Sequence, residues 1–95
     1  MMKKNIQRAE AVVRGVIRRM DPIGLWAIGA PEGELDREIH SIAKQIERIR
    51  SPADASMIIA KVFTSSFGNQ VVATCDFEAC GRELFHALTE AGLCD

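Results

Sequence analysis

Apolar residues return every three to four positions along most of this chain, a period that commits it to helices. Four stretches carry the pattern, each bounded by a stop or start signal. Residues 3–20 set Ile6, Ala9, Val12, Val13, Val16, Ile17 and Met20 on one stripe. At about 100° per residue, Lys3, Lys4, Arg8, Arg14, Arg18 and Arg19 fall on the opposite half. Glu10 sits at the stripe's edge, four residues before Arg14, a spacing suited to an ion pair on one helix. Gly15 lies on the polar side, where it weakens the helix without serving the core.

Asp21-Pro22 ends this helix, because a residue before proline leaves the α region and proline has no N–H to continue the hydrogen bonding. The same pair also suits the start of a single turn, with Asp21 as cap and Pro22 first inside. Residues 21–33 hold three glycines and two prolines, yet also Ile23, Leu25, Trp26 and Ile28. That is too much apolar surface for a solvated loop. The segment is expected to fold back over one end of the core, with Trp26 as the plug.

A second helix is predicted over 34–50, where Leu35, Ile39, Ile42, Ile46 and Ile49 follow a 4-3-4-3 spacing. Acids crowd its start (Glu32, Glu34, Asp36, Glu38) and bases its end (Lys44, Arg48, Arg50), which complements the helix dipole. Ser51-Pro52-Ala53-Asp54 is a start signal for a third helix over 52–67. Its wide apolar arc of Ala55, Ile58, Ile59, Val62, Phe63 and Phe67 makes it the most buried of the four. Met57 points away from that arc, toward the loop or a partner. Gly68-Asn69 is a C-terminal cap. Residues 70–75 (QVVATC) read as an extended covering segment, since one strand makes no sheet. Asp76 then caps a fourth helix over 77–91, with Phe77, Cys80, Leu84, Ala87, Leu88 and Ala91 inward and Gly92 at its end.

At 95 residues the chain has room for one core. The reading is therefore all-α: an irregular four-helix bundle, a single helical domain over 1–95, with the apolar loop 21–33 capping the core. No apolar run reaches the ~18 residues needed to span a bilayer. Three cysteines, Cys75, Cys80 and Cys94, cannot all pair within one chain, and no N-terminal apolar leader is visible. Reduced thiols and a cytoplasmic location are the simpler expectation.

Candidate chemistry is thin. Asp36 and His40 stand four apart, a spacing that can bind a metal, but no third ligand is placed nearby. His40 and His86 both face away from their helix cores and read as surface residues. Cys75 precedes a helix start, which can lower a thiol pKa, but lacks a neighbouring base. The acid cluster fits no EF-hand spacing. The basic stripe of the first helix lacks the interleaved aromatics of a nucleic-acid surface and reads as a solvated face. No nucleophile elbow, P-loop, dinucleotide fingerprint or HExxH occurs. No enzyme, cofactor or metal follows, and neither membrane nor direct nucleic-acid binding is expected.

The motifs DPIGL, APEGELDREIHSI and SPADASMIIAKVFTSSFG together resemble the YugE-like family of small bacterial proteins, across about residues 12 to 68. That family shows a DP-x-GL element, a P-x-(D/E)-EY-(D/E)-x-EI element and a capped helix ending in phenylalanine and glycine. Leu35 stands where the family usually has tyrosine, so any role of that hydroxyl is absent here. The resemblance implies a small α-helical protein with no assigned catalysis. Similar short helical proteins serve as immunity partners of bacterial polymorphic toxins, which is a likeness of class and context.

Charge distribution gives the functional expectation its physical form. The net charge is −1, but residues 1–20 carry six bases and one acid while residues 21–95 carry six bases and twelve acids. The chain is bipolar, +5 against −6. An acidic surface steers quickly to the basic cleft of a toxin that cuts nucleic acid. The expected function is a non-enzymatic immunity protein neutralising such a toxin. Its expected partner-binding residues are the charges Glu32, Glu34, Asp36 and Glu38, with Trp26 and Met57 as apolar anchors. The alternative is a housekeeping regulatory or small-ligand-binding helical protein that acts as a homodimer.

Overall fold

The computed structural model describes residues 3–31, 33–72 and 75–94. Helix α1 spans Lys3–Met20 and buries Ala9, Val13, Val16 and Ile17. Its last turn closes where Asp21 enters the left-handed region (φ 42°) and donates its amide to the Ile17 carbonyl at 2.7 Å. Aspartate is among the few non-glycine residues that adopt this conformation readily. The Asp21 carboxylate does not cap a turn beginning at Pro22. It accepts instead from the amides of Trp26 (3.3 Å) and Ala27 (3.0 Å), fixing a turn further along the loop.

Helix α2 is shorter than its apolar spacing predicts. It covers Asp36–Ala43, starts at Leu35 with no side-chain cap, and gives way to a 3-10 turn at Ile46–Arg48. Gln45, Arg48 and Ile49 each donate to the carbonyl three residues earlier. The predicted seam is nonetheless buried throughout: Leu35, Ile39, Ile42, Ile46 and Ile49 are all 3% exposed or less. A 3-10 turn repeats every three residues, so Ile46 and Ile49 share a face there as they would on an α-helix.

Helix α3 (Pro52–Phe67) matches its predicted bounds. Ser51 Oγ accepts from the Asp54 amide (3.1 Å), and the Asp54 carboxylate accepts from the Arg50 amide (3.0 Å). Gly68 (φ 88°) ends it, but the chain then turns helical again as α4 (Asn69–Val72). The extended reading is therefore overturned for residues 70–72, while 73–74 lie outside the described residues. β-Branched residues cost a helix only a few tenths of a kcal/mol each, too little to forbid one turn. Helix α5 (Phe77–Glu90) begins at Asp76, whose carboxylate accepts from the Ala79 amide (3.0 Å). It ends with the Leu93 amide on the Leu88 carbonyl (2.9 Å) across Gly92 (φ 76°).

Helices α1, α2, α3 and α5 close a ring around one core in which Phe63 is fully buried. Phe63 meets Phe67 and Phe77 edge-on at 6.0 and 5.6 Å. No strand forms among the described residues. The loop over residues 21–31 does lean on this core through Ile23, Leu25 and Trp26, but Ile28 is 83% exposed and takes no part in the cap.

Packing is densest between α3 and α5, and Gly81 explains why. A β-carbon there would lie 2.6 Å from the Ser56 backbone nitrogen and 2.7 Å from its Cα. Only glycine lets the two backbones touch. Ser56 Oγ donates to the Pro52 carbonyl (3.1 Å) and also lies 3.4 Å from the Glu78 carbonyl on α5.

Two glycine substitutions should therefore have opposite signs. Gly15→Ala adds a methyl in open space on an exposed helix face and should stabilise the fold by about 0.5–1 kcal/mol in urea denaturation. Gly81→Ala should destabilise it by about 1–3 kcal/mol despite alanine's better helix propensity. A stabilising Gly81→Ala would contradict the α3–α5 contact.

Candidate functional site

Of the four sides of the ring, the one between α2 and α3 has the fewest contacts, and there the surface opens into a trough. Three adjoining cavities make it up. The central one, about 370 Å³, has Glu38, Ser41 and Gln45 on the α2 side and Lys61, Val62 and Ser65 on α3. Toward the start of α2 it runs into a cavity of about 720 Å³ that Glu34, Asp36, Arg37 and Glu38 line with Ser66 and Phe67. Toward the 3-10 turn it continues through Gln45 and Lys61 into a cavity of about 210 Å³ beside Arg48, Asp54 and Met57. From Met57 to Phe67 the trough follows α3 for about 15 Å at 1.5 Å per residue.

Its charge follows from how the rest of the molecule pairs. The arginines of α1 do not form a bare solvated stripe. Arg8 donates to the Ala91 carbonyl at the end of α5 (2.6 Å), and Arg14 bonds Asp36 of α2. Arg18 lies 5.0 Å over the Trp26 ring, and Arg19 pairs with Glu83 of α5 (3.2 Å). Glu10 does not join Arg14 on its own helix but bonds His40 of α2. Other acids are engaged too, Glu78 with Arg82 (3.9 Å) and Glu90 with His86 (3.1 Å), for example. Among the described carboxylates, those of Glu34 and Glu38 have no hydrogen-bond or ion-pair partner, and both line the trough.

The structure thus brings Glu34, Asp36 and Glu38 to one cavity, sets Met57 at the far end of the same trough, and leaves Trp26 elsewhere. Glu34 is exposed, Asp36 is exposed but held by Arg14, and Met57 is 64% exposed. Glu38 is not an outward contact charge like its neighbours. It is 6% exposed, set at the floor where α2 meets the core. The spacing contained that signal, since Glu38 stands three residues after Leu35 and four before Ile42, both fully buried. Glu32 lies outside the described residues. Trp26 is half-buried rather than a sealed plug, and its indole N–H donates to the Pro31 carbonyl (3.1 Å). Arg37, Lys61, Ser65 and Ser66 were invisible to sequence reasoning as site residues, because only the crossing of α2 and α3 places them on one wall.

The chemistry weighed for Asp36, His40 and Cys75 does not assemble. Asp36 and His40 each bond a different residue of α1, and no group of three metal-ligating side chains occurs among the described residues. Burial raises the Cys75 thiol above its ordinary range rather than the helix start lowering it. Burial, with the Asp76 and Glu83 carboxylates adding, pushes the Cys80 thiol up to about 12. Among the described residues, no helix is long and apolar enough to cross a membrane. No protein-family model, curated protein or solved structure matches the chain.

Two measurements check this geometry. Trp26→Ala should cost about 2 kcal/mol in chemical denaturation, below the ~3–5 kcal/mol of a fully buried aromatic. A loss beyond that lower bound would return the ring to the core. Cys80 should resist a thiol-specific disulfide reagent at pH 8 until the protein unfolds, because its neutral thiol is sealed in the core. Prompt labelling of all three cysteines in the folded protein would contradict the packing of α5.

Proposed function

We propose that this chain is a non-enzymatic binding protein whose α2–α3 trough docks a basic partner protein, and that it serves as an immunity protein neutralising a cognate bacterial toxin. The observation carrying this reading is that Glu34 and Glu38, the described carboxylates left without partners, share one trough with the exposed side chain of Met57. Ion pairs elsewhere engage Glu10, Asp36, Glu78, Glu83 and Glu90. Glu34 and Glu38 remain, on a concave surface that the cations Arg37, Arg48 and Lys61 also line. Docking needs that surface alone: a negative wall to steer and orient the partner, and an apolar anchor to bury. A nuclease toxin offers the complement, since its substrate path must attract phosphates. Occupying that path with carboxylates would block it. The resemblance to the YugE-like family adds biological context and no residue roles.

The test is co-expression with the product of the adjacent gene, followed by calorimetry of the purified pair. The neighbour should be toxic alone and harmless with this chain. Glu34→Lys combined with Glu38→Lys should weaken binding by about a hundredfold or more, and association should slow about tenfold or more from 50 to 500 mM salt. A non-toxic neighbour, or a doubly substituted chain that binds as the native one does, would overturn the proposal. A constitutive dimer stabilised by a metabolite would favour the regulatory alternative.

A further inference from the structure

Glu38 is the one charged side chain among the described residues that the fold buries. A glutamate residue that is 6% exposed ordinarily has a cation or backbone donors within hydrogen-bond reach of its carboxylate, because removing that group from water is otherwise costly. Glu38 has neither. No described side-chain oxygen is both sealed from solvent and unpaired. The Glu38 oxygens therefore keep some contact with solvent, and the residue lines both the central cavity and the one toward the start of α2. Arg37 and Lys61 line the same cavity, yet neither forms an ion pair with Glu38.

We infer that Glu38 is the floor of a receptor for one basic side chain, a lysine or arginine, presented by the partner protein. This rests on the docking function proposed above and specifies its central contact. A partly desolvated carboxylate calls for a cation, and its surroundings decide which. A divalent metal wants six or more oxygen ligands, and no cluster of metal-ligating side chains stands here. A guanidinium or ammonium wants one carboxylate and a few neutral acceptors. Ser41, Ser65 and Ser66 bring hydroxyls to the same cavity, and Val62 offers an apolar wall for a methylene stem. Glu34 lines the adjoining cavity and gives a cation an acidic approach, beside an Asp36 held by Arg14 and an Arg37 that lines both cavities. Arg37 and Lys61 are the internal competitors: both cations share the cavity, so an incoming base must displace their influence.

A titration of the isotope-labelled protein, followed by amide NMR, tests this without any partner protein. The probes are N-acetyl-arginine methylamide, its lysine counterpart, and the uncharged norleucine counterpart. The two basic probes should give saturable shifts at Glu38, Ser41, Lys61 and Ser65 in the millimolar range or tighter, and norleucine should give none. Glu38→Gln, near-isosteric and checked for native amide dispersion, should weaken the basic probes by about tenfold or more. Lys61→Met should strengthen them by about two- to threefold. Shifts that do not saturate, equal shifts from norleucine, or undiminished binding to Glu38→Gln would overturn the inference. So would binding of putrescine with no binding of the capped residues, which would mark a polyamine site instead. A failed search for a toxin would leave a positive titration standing. A negative titration would remove the Glu38 receptor while leaving docking on the outer trough intact.

Discussion

The approach of α3 to α5 at Ser56 and Gly81 sets the geometry on which the other contacts depend. Glycine at position 81 lets backbone meet backbone, and α3 and α5 are the helix pair in closest and most extensive contact. With α3 drawn to α5, Phe63 fills the centre against Phe67 and Phe77. Helix α1 then spans α2 and α5 on the far side of the ring. The α2–α3 side is what is left over: short of contacts, because α2 is only eight residues long and tightens into a 3-10 turn. The trough is a consequence of that unequal packing. The tight α3–α5 seam and the loose α2–α3 side are neighbours that share α3.

Electrostatics follows from the same frame. Because α1 lies between α2 and α5, its arginines reach partners on both, and a helix whose basic stripe reads as a solvated face in isolation becomes a set of clamps. Exposed ion pairs of this kind contribute little stability each, about 0–1 kcal/mol. Their larger effect is on what they leave behind. By occupying Asp36, Glu83 and Glu10's neighbour His40, they make the outer surface more nearly neutral. Glu34 and Glu38 are left without partners, in a trough that Arg37, Arg48 and Lys61 also line.

Most of the architecture was legible because its signals are local. Asp21-Pro22, Ser51-Pro52 and Asp76 mark helix ends by chemistry that acts within four residues, and α1, α3 and α5 obey them. The length of α2 was not legible, since the seam from Leu35 to Ile49 satisfies both an α-helix and an α-helix followed by a 3-10 turn. The fold back into α4 after Gly68 was missed because β-branched residues suggest extension while forbidding little. The role of Gly81 carries no local signal, since only the approach of α3 gives it one. The site was half legible. Exposure of Met57 follows from its own helix, and Glu38's position between Leu35 and Ile42 already hinted at burial. The wall formed by Lys61, Ser65 and Ser66 depends on a crossing between segments about twenty residues or more apart, which no local period encodes.

Hydrogen exchange of the backbone amides, compared between the isolated protein and its complex with a captured partner, tests the central claim most directly. Docking in the trough predicts new protection at residues 34–45 and 57–67, with the outer face of α1 and the loop around Ile28 unchanged. Protection confined to α1 or to residues 21–31, with the trough exchanging as before, would contradict it.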